Sequence, residues 1–207
     1  NEPARVNLVA LPGQVDSSTL KDFEQHVSSP IGYLAPAGNP AEIPAVADGS
    51  MRVQDAGSQL VALVAVHGAK HNENWLDLCA GPGGKAVLMA ALAKSNDSAL
   101  TCIEPAPHRA ELVRKALSTS GMTAKVRQID GREITGSFDR VLVDAPCTGL
   151  GALRRRPEAR WRKSPSDLKD LNSLQKELIE AARMDNCGEF RIYWSVVVPL
   201  LGPAFGT

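Results

Sequence analysis

Four acidic residues stand where apolar runs stop: Asp77, Glu104, Asp130 and Asp144. The first opens Asp77-Leu78-Cys79-Ala80-Gly81-Pro82-Gly83-Gly84-Lys85, in which an apolar stretch runs into glycines. Glycine lets backbone approach a ligand closely, and a helix beginning there offers unpaired N–H groups and partial positive charge. Gly81, Gly83 and Ala86 satisfy a degenerate G-x-G-x-x-A dinucleotide pattern, which keeps a nicotinamide enzyme in view. A P-loop fits less well. Cys79 stands where its first Gly belongs, and Ala86 where Ser or Thr holds magnesium.

Glu104 follows Ala86 by 18 residues, a place from which a carboxylate accepts both hydroxyls of a ribose. Nicotinamide and adenosyl-methionine enzymes both use such an acid. Asp130, followed by Gly131, adds an acceptor suited to an adenine amino group, and this second acid favours an adenosyl ligand. The plain alternative for either residue is a helix cap or a surface charge. Asp144-Ala145-Pro146-Cys147-Thr148-Gly149 then brings a carboxyl and a thiol to the same region. Beyond it Arg154, Arg155, Arg156, Arg160, Arg162 and Lys163 surround one acid and Trp161. That run is either a solvated face or a phosphate-contacting surface, and it favours a polyanionic substrate over a small hydroxy acid.

Positioning these groups requires alternating elements. The pattern predicts helices at Ser58–Val66, Lys85–Lys94 and Pro107–Ser120, and strands at Asn74–Leu78, Ala99–Ile103, Ala124–Ile129 and Phe138–Val143. Such alternation implies βαβ units, a parallel sheet and ligands at the carboxyl ends of the strands. The fold class is α/β and Rossmann-like. The first fifty residues are crowded with Pro and Gly, and predict a helix near Ser18–Val27 among short strands and turns. We therefore divide the chain into a small N-terminal α+β subdomain, 1–50, and a main domain, 51–207.

Composition narrows the remaining classes. With 43% hydrophobic and 22% charged residues, the 207-residue chain is neither disordered, collagen-like nor a coiled coil. Its 23 basic residues balance 23 acidic ones, so any nucleic-acid affinity must come from a local patch. Cys79, Cys102, Cys147 and Cys187 form no C-x-x-C pair and read as reduced thiols of a cytoplasmic protein, with Cys102 in the core. His26, His67, His71 and His108 lack ligand spacing, so no metal is expected. No run approaches the ~20 apolar residues of a membrane span.

Together, Leu76 through Lys85, Asp144 through Gly151, Arg155-Arg156-Pro157 and Trp161-Arg162-Lys163 resemble the Sun/Fmu family of RNA cytosine-5 methyltransferases. Val53 through Leu60, and Asp167 through Glu177 with Gln175, are similar to further family segments, so the likeness covers roughly 50–184. It implies S-adenosylmethionine as cofactor, ribosomal RNA as partner and methylation of cytosine C5. Cys79, Ala80, Gly81, Pro82, Gly83, Gly84 and Lys85 would hold the methionine and ribose portions of the cofactor. Glu104 would take the ribose hydroxyls, and Asp130 with Gly131 the adenine. Asp144 would bond the base at N3, with Pro146 shaping its turn, while Cys147 matches the cysteine that helps release product. Arg109 is either a cofactor-site residue or a solvated helix residue. The N-terminal subdomain would be RNA-recognition-like, and the protein a monomer.

One departure is serious. In the family a Thr-Cys-Ser ends the strand after the long helix, and that Cys is the nucleophile. Ungapped alignment from Ala182-Arg183-Met184 puts Val196 there, and Cys187 lies nine residues away. An inactive relative, a frameshifted segment and a truncated product all account for this. The opening at Asn1, and the loose match before residue 50, suggest a fragment with impaired RNA affinity. The alternative function is thus a non-catalytic RNA- or cofactor-binding relative.

Overall fold

The computed structural model describes residues 5–146 and 165–184. Cys147, the basic residues Arg154 to Lys163, Cys187, Val196 and the strand expected at Arg191–Val198 lie outside the described residues.

Two four-stranded sheets organise what is described. The first is antiparallel, in the order β2-β3-β1-β4, with β1 Asn7–Ala10, β2 Glu24–Gln25, β3 Gly32–Leu34 and β4 Met51–Val53. Leu8, Ala10, Ala35, Ala45 and Met51 form its core, beside two short helices, α1 Ser17–Leu20 and α2 Pro44–Ala47. The helix expected over Ser18–Val27 is only one turn long. Glu24 and Gln25 pair with Leu34 and Tyr33 instead, so strand pairing takes residues that local pattern assigns to a helix. β4 belongs to this sheet, which therefore runs past the change in texture at residue 51.

The second sheet is wholly parallel, in the order β7-β6-β5-β8, with β5 Asn74–Asp77, β6 Ala99–Ile103, β7 Lys125–Arg127 and β8 Arg140–Leu142. Helix α3 Ala56–Ala65 precedes β5, α4 Gly84–Ser95 connects β5 to β6, α5 Pro107–Thr119 connects β6 to β7, and α6 Pro165–Met184 follows β8. The expected alternation is present, with shorter strands. α3 starts two residues earlier than its apolar pattern because the Asp55 side chain accepts from Ser58 N at 3.0 Å and caps the first turn. α4 is buried along most of its length, which its alanines permit: Ala86, Val87, Leu88, Met89, Ala90 and Ala91 all pack inside. Burying a residue such as Leu88 or Val87 contributes ~1.5–3 kcal/mol.

The two sheets are joined by specific contacts. Gln59 of α3 donates to Leu8 O at 3.2 Å and accepts from Ser29 Oγ at 2.6 Å. Arg52 of β4 donates to Ser120 Oγ at 2.9 Å, at the end of α5. Gly49 has φ +82°, and a Cβ there would overlap Thr119 O.

Candidate active site

The chain runs from β5 outward through β6 to β7 and then returns to place β8 on the other side of β5, so the strand order reverses at β5. Such a switch point opens a crevice at the carboxyl ends. Here the crevice is a cleft of about 400 Å³. Cys79, Gly81, Glu104, Arg109, Asp130, Gly131, Asp144 and Pro146 line it, which brings eight of the residues singled out in the sequence to one place. Ala80, Pro82, Gly83, Gly84 and Lys85 do not line it. Gly83 and Gly84 instead begin α4, with Gly83 at φ +108° against α5, where a Cβ would lie 3.0 Å from Ala116 Cβ.

The turn after β5 is tied to the end of β6. Arg109 Nη2 donates to Gly81 O at 2.6 Å, and its Nε lies 3.3 Å from Glu104 Oε2. A Cβ at Gly81 would overlap that same oxygen, so only glycine brings this backbone against the Glu104 carboxylate. Glu104 is 3% exposed and its other oxygen accepts from Ala106 N at 3.0 Å. Arg109 is thus a member of the cleft wall rather than a solvated helix residue.

Lys85 enters through a partner: its Nζ lies 2.7 Å from Asp144 Oδ2. Asp130 caps the short 3-10 turn Gly131–Glu133. Its Oδ1 accepts from Arg132 N and Nε at 2.9 Å each, and its Oδ2 from Arg132 Nη2 at 2.6 Å. The arginine holds the Asp130 carboxyl below its ordinary range. Gly131 is buried under Leu178 and Leu78, so that a Cβ there would lie 2.9 Å from Leu178 Cδ2 and 3.1 Å from Leu78 Cγ.

Several cleft residues escaped the sequence reading. Arg132 stands two residues from Asp130 and also meets Glu177 of α6 at 2.6 Å; its proximity to an expected acceptor was the available signal. Leu174 and Leu178 line the cleft from α6, where their i,i+4 spacing reads only as an amphipathic stripe. Asp77 was visible as a strand-end acid, but its state was not. It is 1% exposed, its Oδ1 accepts from Cys79 N at 3.3 Å, and its Oδ2 has no partner. Burial first, then the nearby Asp144, pushes its carboxyl up to about 7. Burial together with Asp77, Asp144 and Glu104 also pushes the Cys79 thiol up, which disfavours a thiolate there. Cys102 is fully buried inside β6, as expected of a core residue. Among the described residues no three His, Cys, Asp or Glu side chains gather as a metal site, and no helix is long and apolar enough to cross a membrane.

A parallel sheet flanked by helices, with acids at successive strand ends around a glycine turn, defines a Rossmann-like fold of the methyltransferase kind. The solved structure of PH0851 superposes with a TM-score of 0.77 at 25% identity, over 88% of this chain and 44% of that one. NSun6 from Pyrococcus horikoshii, solved with SFG, gives 0.61 at 26% identity over 70% of this chain and 37% of that one. The chain belongs to the 16S rRNA methyltransferase RsmB/F family, whose model matches residues 64–187. It is 47% identical over 191 residues to the Mycobacterium tuberculosis protein Rv1407, covering 88% of this chain and 41% of that relative. Against Ribosomal RNA small subunit methyltransferase B of Serratia proteamaculans it is 38% identical over 157 residues, 73% of this chain and 35% of the relative. The chain thus spans 35% to 41% of the length of these relatives.

Proposed function

We propose that this chain carries the methyltransferase domain of an enzyme that uses S-adenosylmethionine to methylate C5 of a cytosine in ribosomal RNA, in the cytoplasm. In this reading residues 51–207 form that domain and 1–50 an RNA-binding subdomain that shares β4. The observation that carries it is the cleft: acids at successive strand ends meet a glycine turn, in a chain that belongs to the RsmB/F family. The solved neighbour with SFG, an S-adenosylmethionine analogue, supports the choice of cofactor.

The residues suit that cofactor. A cleft of about 400 Å³ falls within the range of small-molecule sites. Glu104 and Asp130 offer acceptors for ribose and adenine, and Gly81 brings backbone beside the first of them.

Cytosine C5 is a poor nucleophile, so the ring must be activated. Bound S-adenosylmethionine supplies an electrophilic methyl sulfonium; the remaining work belongs to the protein. Asp144, held by Lys85, would bond the base at N3 and stabilise charge during attack. In the family a cysteine thiolate adds to C6, which makes C5 enamine-like and able to take up the methyl group; a base then removes the C5 proton as the C6–S bond breaks and the thiol leaves. Cys147 would assist that release. Cys79 is a poor substitute nucleophile because its thiolate is disfavoured.

A second reading is favoured by Val196, since valine cannot add to C6: the chain would bind cofactor or RNA without catalysing transfer. Calorimetric titration with S-adenosylmethionine tests the cofactor site. Saturable binding should weaken about tenfold in Asp130→Ala, the scale of one charge-assisted hydrogen bond, and NADH should not bind. Binding of NADH in place of S-adenosylmethionine would sink the methyltransferase reading. Methyl incorporation into ribosomal RNA separates the first reading from the second.

A further inference from the structure

We infer that Gln175 is a positioning residue that fixes the Asp144–Pro146 turn at the reaction end of the cleft. Its Nε2 donates to Pro146 O at 2.9 Å. The significance of that turn rests on the methyl-transfer reading, whereas the contact itself does not.

The neighbours of Gln175 on α6 show what this bond completes. Positions 174, 175, 177 and 178 share one side of a helix. Leu174 and Leu178 line the cleft, and Leu178 packs where Gly131 lacks a Cβ. Glu177 accepts from Arg132, which holds Asp130. These two contacts, Leu178 with Gly131 and Glu177 with Arg132, grip the Asp130 end. Gln175 makes the matching contact at the opposite end, beside Asp144 and its partner Lys85. One rigid helix therefore spans both ends of the cleft and sets their separation.

β8 ends at Leu142, so this segment lies beyond the strand, and among the described residues Gln175 is the donor to the Pro146 carbonyl. Gln175 is half-buried, and its amide reaches a backbone carbonyl at the exposed rim of the cleft.

Two substitutions in the full chain isolate the donor. Gln175→Met keeps length and helix propensity but cannot donate, whereas Gln175→Lys keeps an N–H donor of similar reach. Amide hydrogen exchange at Asp144 and Ala145 should accelerate about fivefold or more in the Met variant and stay within about twofold of the parent in the Lys variant. Exchange within α6 and β5, and the melting temperature, should not change. Parent-like exchange at Asp144 and Ala145 in the Met variant overturns the inference. So does acceleration spread through α6, which would mean that Gln175 merely stabilises its own helix. Titration of the parent with S-adenosylmethionine runs alongside: absent binding there overturns the functional reading, while the exchange result still judges Gln175.

Discussion

The two ends of β5 carry carboxylates with opposite fates. At the amino end Glu73, 8% exposed, meets Arg140, 4% exposed, and accepts also from Trp75 Nε1 at 2.9 Å and Lys70 N at 3.0 Å. Arg140 spends its remaining donors on His67 O and Gly68 O, at 2.8 Å each. The Arg140 guanidinium above all pulls Glu73 down to about 2. Asp77, four residues along, is buried more deeply and is pushed up to about 7, with one oxygen unpartnered. Burial is common to both; partners are not. The satisfied end is scaffold, and the unsatisfied end is the one that opens on the cleft.

The largest expected effect comes from breaking the satisfied end. Arg140→Met leaves Glu73 buried without its charge partner, which should cost about 3–5 kcal/mol in urea unfolding and on the order of 10 °C in melting temperature. A loss below about 1 kcal/mol would mean that water already reaches this end. The pH dependence has a definite sign. Because Glu73 is depressed from 4.5 to about 2, its contribution is present above pH 4.5 and disappears as pH falls through that interval. Acid titration of the parent should therefore show a stability loss there that Glu73→Gln lacks.

The unsatisfied end should respond in the opposite direction. Asp77 is raised from 3.8 to about 7, so its penalty is absent below 3.8, grows with pH and is complete above 7. Asp77→Asn should then melt higher than the parent at about pH 8, by roughly 3 °C, and no higher at about pH 3.5. A gain that is equal at both pH values would show that ionisation of Asp77 has no part in it. Weaker S-adenosylmethionine binding beside the higher melting temperature would show stability traded for function at this position.

The elements that frame this contrast were legible in the sequence, but the contrast itself was not. Alternating apolar runs predicted β5, α4, β6 and α5 because each carries its own periodicity, and the strand-end acids followed from the fold rule for parallel sheets. Glu73 and Arg140 were invisible as a pair, being 67 residues apart in elements that meet only through the sheet. Asp77 looked like the other three acids, since nothing local encodes a missing hydrogen-bond partner. The overlong helix at Ser18–Val27 has the same origin: pairing of Glu24 and Gln25 with β3 is a non-local choice. Arg109 was ambiguous for want of one fact, the position of Gly81 O.

The smallest expected effect probes a third carboxylate, Asp130, which shares the cleft end with Asp77 yet is well partnered. Arg132 is 48% exposed and bonds both Asp130 and Glu177, so water and salt screen what the pair gains. Arg132→Ala should shift the melting temperature by less than about 2 °C at physiological salt, because exposed ion pairs are weak. Its backbone N–H still reaches Asp130, which keeps the 3-10 turn capped, and S-adenosylmethionine affinity should move by less than about threefold. A fall in melting temperature as large as that of Arg140→Met would remove exposure as the property separating the two arginines. Partner number alone would then decide which carboxylates of this sheet serve the scaffold.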